Sequence, residues 1–191
     1  MNHSHHPTNP DFFQKKVANL EQHRIETITF EEIAALLAIQ STDKIADLGA
    51  GTGYFTFPLA EIAETVIAVD LDMQMLAYIK EKMENQQMSN IKPVHSALTN
   101  LPLENHSVDK ALASIALHEI PELSQALDEI KRILKSGGYF LCVEIERDVT
   151  GTHNHPRITQ EEMRKYLLEA GFTIIDERIP TKGIYAITAQ I

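Results

Sequence analysis

The chain holds a single cysteine, Cys142, so no disulfide can close within it. That suits a reducing compartment, and a cytoplasmic location is expected. It lacks long hydrophobic runs. The longest apolar stretches, Ile33 to Ile39 and Ala111 to Leu117, fall far short of the ~20 residues a membrane span requires. No secretory leader is expected, since Met1 to Pro10 is polar and rich in histidine, with no apolar segment. It also lacks basic character. Lys and Arg number 17 against 27 Asp and Glu, a net charge of −10 with histidine neutral. Nucleic-acid affinity comes from Lys and Arg displacing counterions from phosphates, and no run of them stands out here. Neither nucleic acid nor membrane is expected as a partner.

Metal-site spacings are missing too. His3, His5 and His6 cluster near the start, and His153 and His155 lie together later. None has a zinc-finger or H-E-x-x-H pattern, and no metal is expected. What remains is an ordinary globular composition, 43% apolar and 23% charged. A chain of 191 residues is about one domain. It can bury roughly 70% of its unfolded surface, so it needs no disulfide or metal staple.

Residues 1–28 read as a loose leader followed by a segment that acts as a lid or docks on the core. Within it, Asp11 to Gln22 has a rough helical stripe of Phe12, Phe13, Val17 and Leu20. Residues 29–191 read as the domain proper. Thr29 and Glu32 form a capping-box pattern that opens a helix to Ala38. Strands are then predicted at Lys44 to Leu48, Thr65 to Val69, Ile91 to His95, Val108 to Ala116 and Tyr139 to Glu144. Helices are predicted between them at Tyr54 to Ala63, Met73 to Glu84 and Leu123 to Leu134, the last stopped by Gly137 and Gly138. A further helix, Thr159 to Ala170, has a cap at Thr159 to Glu162 and a C-cap glycine at Gly171. Alternating strands and helices signal a doubly wound α/β fold, a mostly parallel sheet with helices on both faces. The tail differs, because no helix separates Phe172 to Asp176 from Ile184 to Ile191. Those two strands should pair antiparallel at the end of the sheet.

The strongest chemical signal is Asp47-Leu-Gly49-Ala50-Gly51-Thr-Gly53, after a strand and before a helix. In a doubly wound sheet this turn lies at the carboxyl end of the first strand, where ligands bind. Asp70 ends the next strand, about twenty residues on, where an acid accepts both hydrogen bonds of a ribose diol. Capping the following helix is its other possible role, though Asp72 fits that better. The glycines are spaced G-x-G-x-G, not G-x-G-x-x-G as in nicotinamide enzymes. Asp47 beside the loop would repel a pyrophosphate but not a cofactor with a positive centre. S-adenosylmethionine (SAM), with its sulfonium and ammonium, meets that description.

Ile45 to Thr56, with Val69-Asp70 and Met75-Leu76, closely resembles a class I SAM-dependent methyltransferase. Asn100 to Asp109 resembles that family's entry to the fourth strand. Leu117-His118-Glu119-Ile120 is similar to its Leu-His-His, and Leu134-Lys-Ser-Gly-Gly138 to its Leu-Lys-Pro-Gly-Gly turn. The resemblance runs from about Thr29 to Ile191. It implies a seven-stranded sheet whose last strand is antiparallel.

By the same resemblance Asp47, Gly49, Ala50, Gly51 and Gly53 line the methionine part of SAM, and Asp70 holds the ribose with Leu71 beside the adenine. Ser96-Ala97 stands where the family has Asp-Ala, so the adenine amino group loses its usual acid. Ser114 to Leu117 walls the methyl end. His118 is a base, a substrate contact or a loop-ordering residue. Glu119, His153, His155 and Arg157 fall on the substrate side.

The expected activity is methyl transfer from SAM to a small-molecule acceptor through oxygen, nitrogen or carbon, by a monomer or homodimer. The alternative is a non-catalytic SAM-binding or interaction module with the same fold. Arsenite would call for several cysteines, and the Asn/Asp-Pro-Pro-Tyr of amino-methylating enzymes is replaced by Ala116-Leu117-His118-Glu119.

Overall fold

The computed structural model describes residues 13–15, 17–18, 28–146 and 157–191. Seven strands form one sheet: β1 (Lys44–Leu48), β2 (Thr65–Asp70), β3 (Ile91–His95), β4 (Val108–Ser114), β5 (Leu134–Ile145), β6 (Thr173–Thr181) and β7 (Ile184–Gln190). Their spatial order is β3-β2-β1-β4-β5-β7-β6. The first five strands are parallel, and β7 runs antiparallel between β5 and β6. Helices α1 (Phe30–Leu36), α2 (Thr56–Ile62), α3 (Met73–Asn85), α4 (Leu123–Ile133) and α5 (Gln160–Glu169) complete the layers.

The inner strands are covered on both faces, so almost every residue along them is apolar. Successive side chains point to opposite faces. Ile45, Leu112 and Leu141 enter one core with Ile33 of α1, Leu37 at its C-cap, Leu59 of α2 and Ile79 of α3. Their neighbours Ala46, Ala113 and Cys142 enter the other, with Leu127, Ile130, Met163 and Leu167 from α4 and α5. Each fully buried Leu or Ile contributes roughly 1.5–3 kcal/mol. The strand order reverses between β1 and β4, and that switch point opens a crevice at the strands' carboxyl ends.

Several boundaries differ from expectation. Helix α2 begins at Thr56 rather than Tyr54. Helix α4 runs straight into β5 at Leu134, with Gly137 and Gly138 inside the strand rather than in a turn before it. The register jumps from Val108↔Leu134 to Lys110↔Tyr139, so four residues bulge opposite Asp109. Lys135 Nζ donates to Asp109 Oδ1 at 2.7 Å across the bulge. Strand β6 extends past Pro180 to Thr181. It is an edge strand, where a proline removes no ladder bond. In the N-terminal segment Phe13 meets Tyr78 of α3 edge-on at 6.0 Å and Val17 is buried. Phe12 lies outside the described residues.

Candidate active site

The turn after β1 is strapped to β2. Gly49 and Ala50 both donate their N–H to Val69 O, at 2.8 and 3.0 Å. Gly49 has φ +75°, and a Cβ there would fall 2.5 Å from Ala116 Cβ, so the segment after β4 closes over it. Gly51 has φ +55°, and its Cβ would meet nothing nearer than Gly49 O at 4.0 Å. Space beside Gly51 is open, and its backbone faces a cleft.

Asp70, at the tip of β2, completes this edge. Its Oδ2 accepts from Gly51 N at 2.7 Å and its Oδ1 from Asp72 N at 2.8 Å. Each carboxylate oxygen has a further lone pair to offer a ligand. Asp72, not Asp70, caps α3, accepting from Gln74 N at 2.9 Å.

The cleft has a volume of about 500 Å³. Of the residues expected at the site, Gly49, Gly51, Asp70, Leu71, Ser96, Ala97 and Glu119 line it together. Ile115 and Ala116, within the Ser114 to Leu117 stretch expected to wall the site, line it as well, whereas Asp72, Met75, Leu98, Thr99, Ile120, Pro121 and Glu122 had not been assigned to the wall from sequence. Ile115 is a β-branched residue at φ +53°, a strained conformation that marks functional turns.

Other expected residues stand behind this lining. Asp47 is buried and accepts from the Thr56 hydroxyl at 2.5 Å, bracing the start of α2. Ala50 and Leu117 pack in the two cores. A Cβ on Gly53 would sit against Phe57 and Ile79, away from open space. Ser114 is buried in β4, and its hydroxyl has no hydrogen-bond partner among the described residues. His153 and His155 lie outside the described residues. Among those described, no group of three or more His, Cys, Asp or Glu is arranged to hold a metal, and no helix is long and apolar enough to cross a membrane.

Glu144 is the functional candidate that sequence reasoning missed. It lies fully buried near the end of β5. Oε1 accepts from Ala116 N at 3.0 Å and Leu117 N at 2.8 Å, and His118 N is 3.4 Å away. Oε2 is 2.8 Å from His118 Nδ1. The signal was present in sequence as one acid inside an apolar strand, since an acid is almost never fully buried unless paired.

His118, expected in the site, stands just behind the cleft lining: its imidazole is 11% exposed, with Nε2 3.9 Å from the cleft-lining Glu119. The hydrogen bond to Glu144 holds the His118 pKa above histidine's ordinary value, although burial pulls it down. Glu119 adds to the rise, and Arg157 lies near enough to oppose it.

Residues 46–142, about half of the chain, match the family described as methyltransferase domain. The chain belongs to this family, and its fold is that of the class I methyltransferases. A SAM-dependent methyltransferase from Aquifex aeolicus superposes with a TM-score of 0.83, covering 93% of this chain and 97% of that one, at 22% identity. A demethylmenaquinone methyltransferase of Oceanobacillus iheyensis is 30% identical over 109 residues, 56% of this chain and 46% of that protein. Another, from Staphylococcus aureus, is 30% identical over 131 residues, 67% of this chain and 52% of that one. The chain spans about half the length of the curated relatives it matches.

Proposed function

We propose that the protein transfers the methyl group of SAM to a small, uncharged, largely apolar acceptor of the hydroquinone class. The observation that carries this is the composition of the cleft. One side offers the open backbone of Gly51 and the carboxylate of Asp70, the other an apolar wall of Ile115, Ala116, Ile120 and Pro121. Among the described residues no Lys or Arg lines it, while Asp72, Glu119 and Glu122 do. Those carboxylates disfavour an anionic acceptor and favour a cationic cofactor. The relatives named demethylmenaquinone methyltransferases support an acceptor of quinone type.

When bound, SAM supplies an electrophilic methyl group on a positively charged sulfur. The protein contributes proximity, orientation and electrostatics. Asp70 accepts from the ribose hydroxyls, with Leu71 beside the adenine. Ser96 takes over from the family's aspartate: its hydroxyl hydrogen is committed to the carbonyls of Ala97 and Asn100. Its oxygen lone pairs stay available to the adenine amino group.

Calorimetric titration with SAM and with S-adenosylhomocysteine tests the cofactor half. Asp70→Ala should weaken SAM by about 10- to 100-fold, the worth of charged hydrogen bonds of roughly 1.5–3 kcal/mol. Isotope transfer from methyl-labelled SAM to a reduced short-chain demethylmenaquinone tests the acceptor half. Labelling of an anionic aromatic acid instead would overturn the acceptor class, and absence of SAM binding by folded protein would overturn the whole reading.

A further inference from the structure

The two oxygens of Glu144 face different partners. Oε1 holds the backbone of Ala116 and Leu117, and so the turn that carries Ile115 into the cleft. Among the described residues, Oε2 meets the imidazole of His118 alone. A carboxylate oxygen can only accept, so Nδ1 must donate. The neutral ring then has its lone pair on Nε2, on the edge turned toward Glu119 at the cleft. We propose that Glu144 is a positioning residue that fixes this tautomer, and that His118 Nε2 takes the proton of a protic acceptor during methyl transfer. This deepens the reading above and rests on it, narrowing the acceptors to those whose reacting atom bears a removable proton.

Written for an acceptor A–H, the bond from A to the methyl carbon forms as the carbon–sulfur bond breaks, and the bonding pair stays on sulfur. The proton of A–H passes to Nε2, and the imidazolium charge is balanced by Glu144 beneath it. The proton leaves to solvent afterwards, so atoms and charge balance without another reactant. The charged groups facing the ring are Glu144 from β5, Glu119 from its own turn and Arg157 from the approach to α5. The two acids together outweigh the arginine, so the base is free only above histidine's usual range, and the rate should rise with pH through that point.

Glu144→Gln separates the two roles of the carboxylate. The amide oxygen must stay on Ala116 N and Leu117 N, which only donate. Its NH2 then donates to Nδ1 and forces the proton onto Nε2. The test is a long-range 1H–15N spectrum of ligand-free protein labelled with 15N-histidine, above the histidine titration range. The His118 signals are identified by their loss in His118→Asn. We expect Nδ1–H with bare Nε2 in the wild type and the inverse in Glu144→Gln. SAM affinity should be unchanged, while turnover of the hydroquinone probe falls about 100-fold or more and its acid limb is lost. His118→Asn keeps a donor toward Glu144 but has no base, and should lose turnover equally.

An Nε2–H tautomer in the wild type overturns this step alone, as does a variant with inverted tautomer and full turnover. If Glu144→Gln does not fold, the wild-type spectrum and the His118→Asn rate decide. No SAM binding by the wild type overturns the parent reading, and this step with it.

Discussion

Gly49 and Gly51 lie two residues apart in one loop and answer to different neighbours. Both have positive φ. At Gly49 an added methyl also collides with Ala116, whereas at Gly51 it enters open space. Gly49→Ala should therefore cost about 2–4 kcal/mol of stability, backbone strain plus overpacking. Gly51→Ala should cost only about 1–2 kcal/mol and yet abolish most SAM affinity. Urea unfolding and calorimetry on the two variants separate these effects, and wild-type SAM binding by Gly51→Ala would show that its backbone does not face the cofactor. His118 gives a pH signature. Its folded pKa is raised, so its stabilising contribution is complete below its unfolded value, about 6.5. That contribution disappears as pH rises through the folded value. The stability gap between wild type and His118→Gln should be widest in mild acid and shrink toward alkaline pH. A gap that widened with pH would contradict the assigned hydrogen bond. Gly49, Gly51 and Asp70 were readable as cleft residues because glycines and acids at that spacing have few other uses, whereas Asp47, Ala50 and Gly53 of the same stretch stand behind the lining. Glu144 was not readable, because its partners arrive from the turn after β4, 26 to 28 residues away.

Elements were readable wherever local chemistry marks their ends. Thr159 accepts from Glu162 N at 3.1 Å and Glu162 accepts from Thr159 N at 2.8 Å, the reciprocal cap that the sequence pattern announced. This cap orders the start of α5, which seats Met163 and Leu167 in the core. Thr159→Ala should cost about 1 kcal/mol, measured as a shift in denaturant midpoint at constant slope. A shift within error would mean that packing alone defines the helix start. The junction of α4 and β5 was misread because glycine pairs commonly end helices. Here β5 starts at Leu134 because Val108 across the sheet pairs with it, and the residues before Tyr139 bulge against Asp109. A partner strand makes that decision, and no local window contains it. The same holds for β6, whose passage beyond Pro180 depends on its lying at the sheet edge.

At the scale of the molecule, the cleft joins β1, β2, the segment after β3 and the turn after β4, so a ligand there couples both sides of the switch point. A ligand that binds only the folded state stabilises it by about 2.7 kcal/mol at a hundred times its dissociation constant. For a domain of this size that is a rise in melting temperature on the order of 5–10 °C. SAM and S-adenosylhomocysteine should both produce it in thermal melts, and Asp70→Ala should not. An equal shift in that variant would place the cofactor elsewhere. The sequence alone determined the doubly wound class, the family resemblance, the antiparallel ending and the cleft edge at Gly49, Gly51 and Asp70. Those features depend on short-range spacing, strand periodicity and turns whose backbone only glycine tolerates. Tertiary structure alone decided which candidates face the cleft and which brace it. Asp47 turned to Thr56, Leu117 entered the core, and Ile120 and Pro121 came to the wall. It also brought Glu144 under His118, because a buried charge is tolerable only where distant backbone donors and a ring nitrogen converge on it.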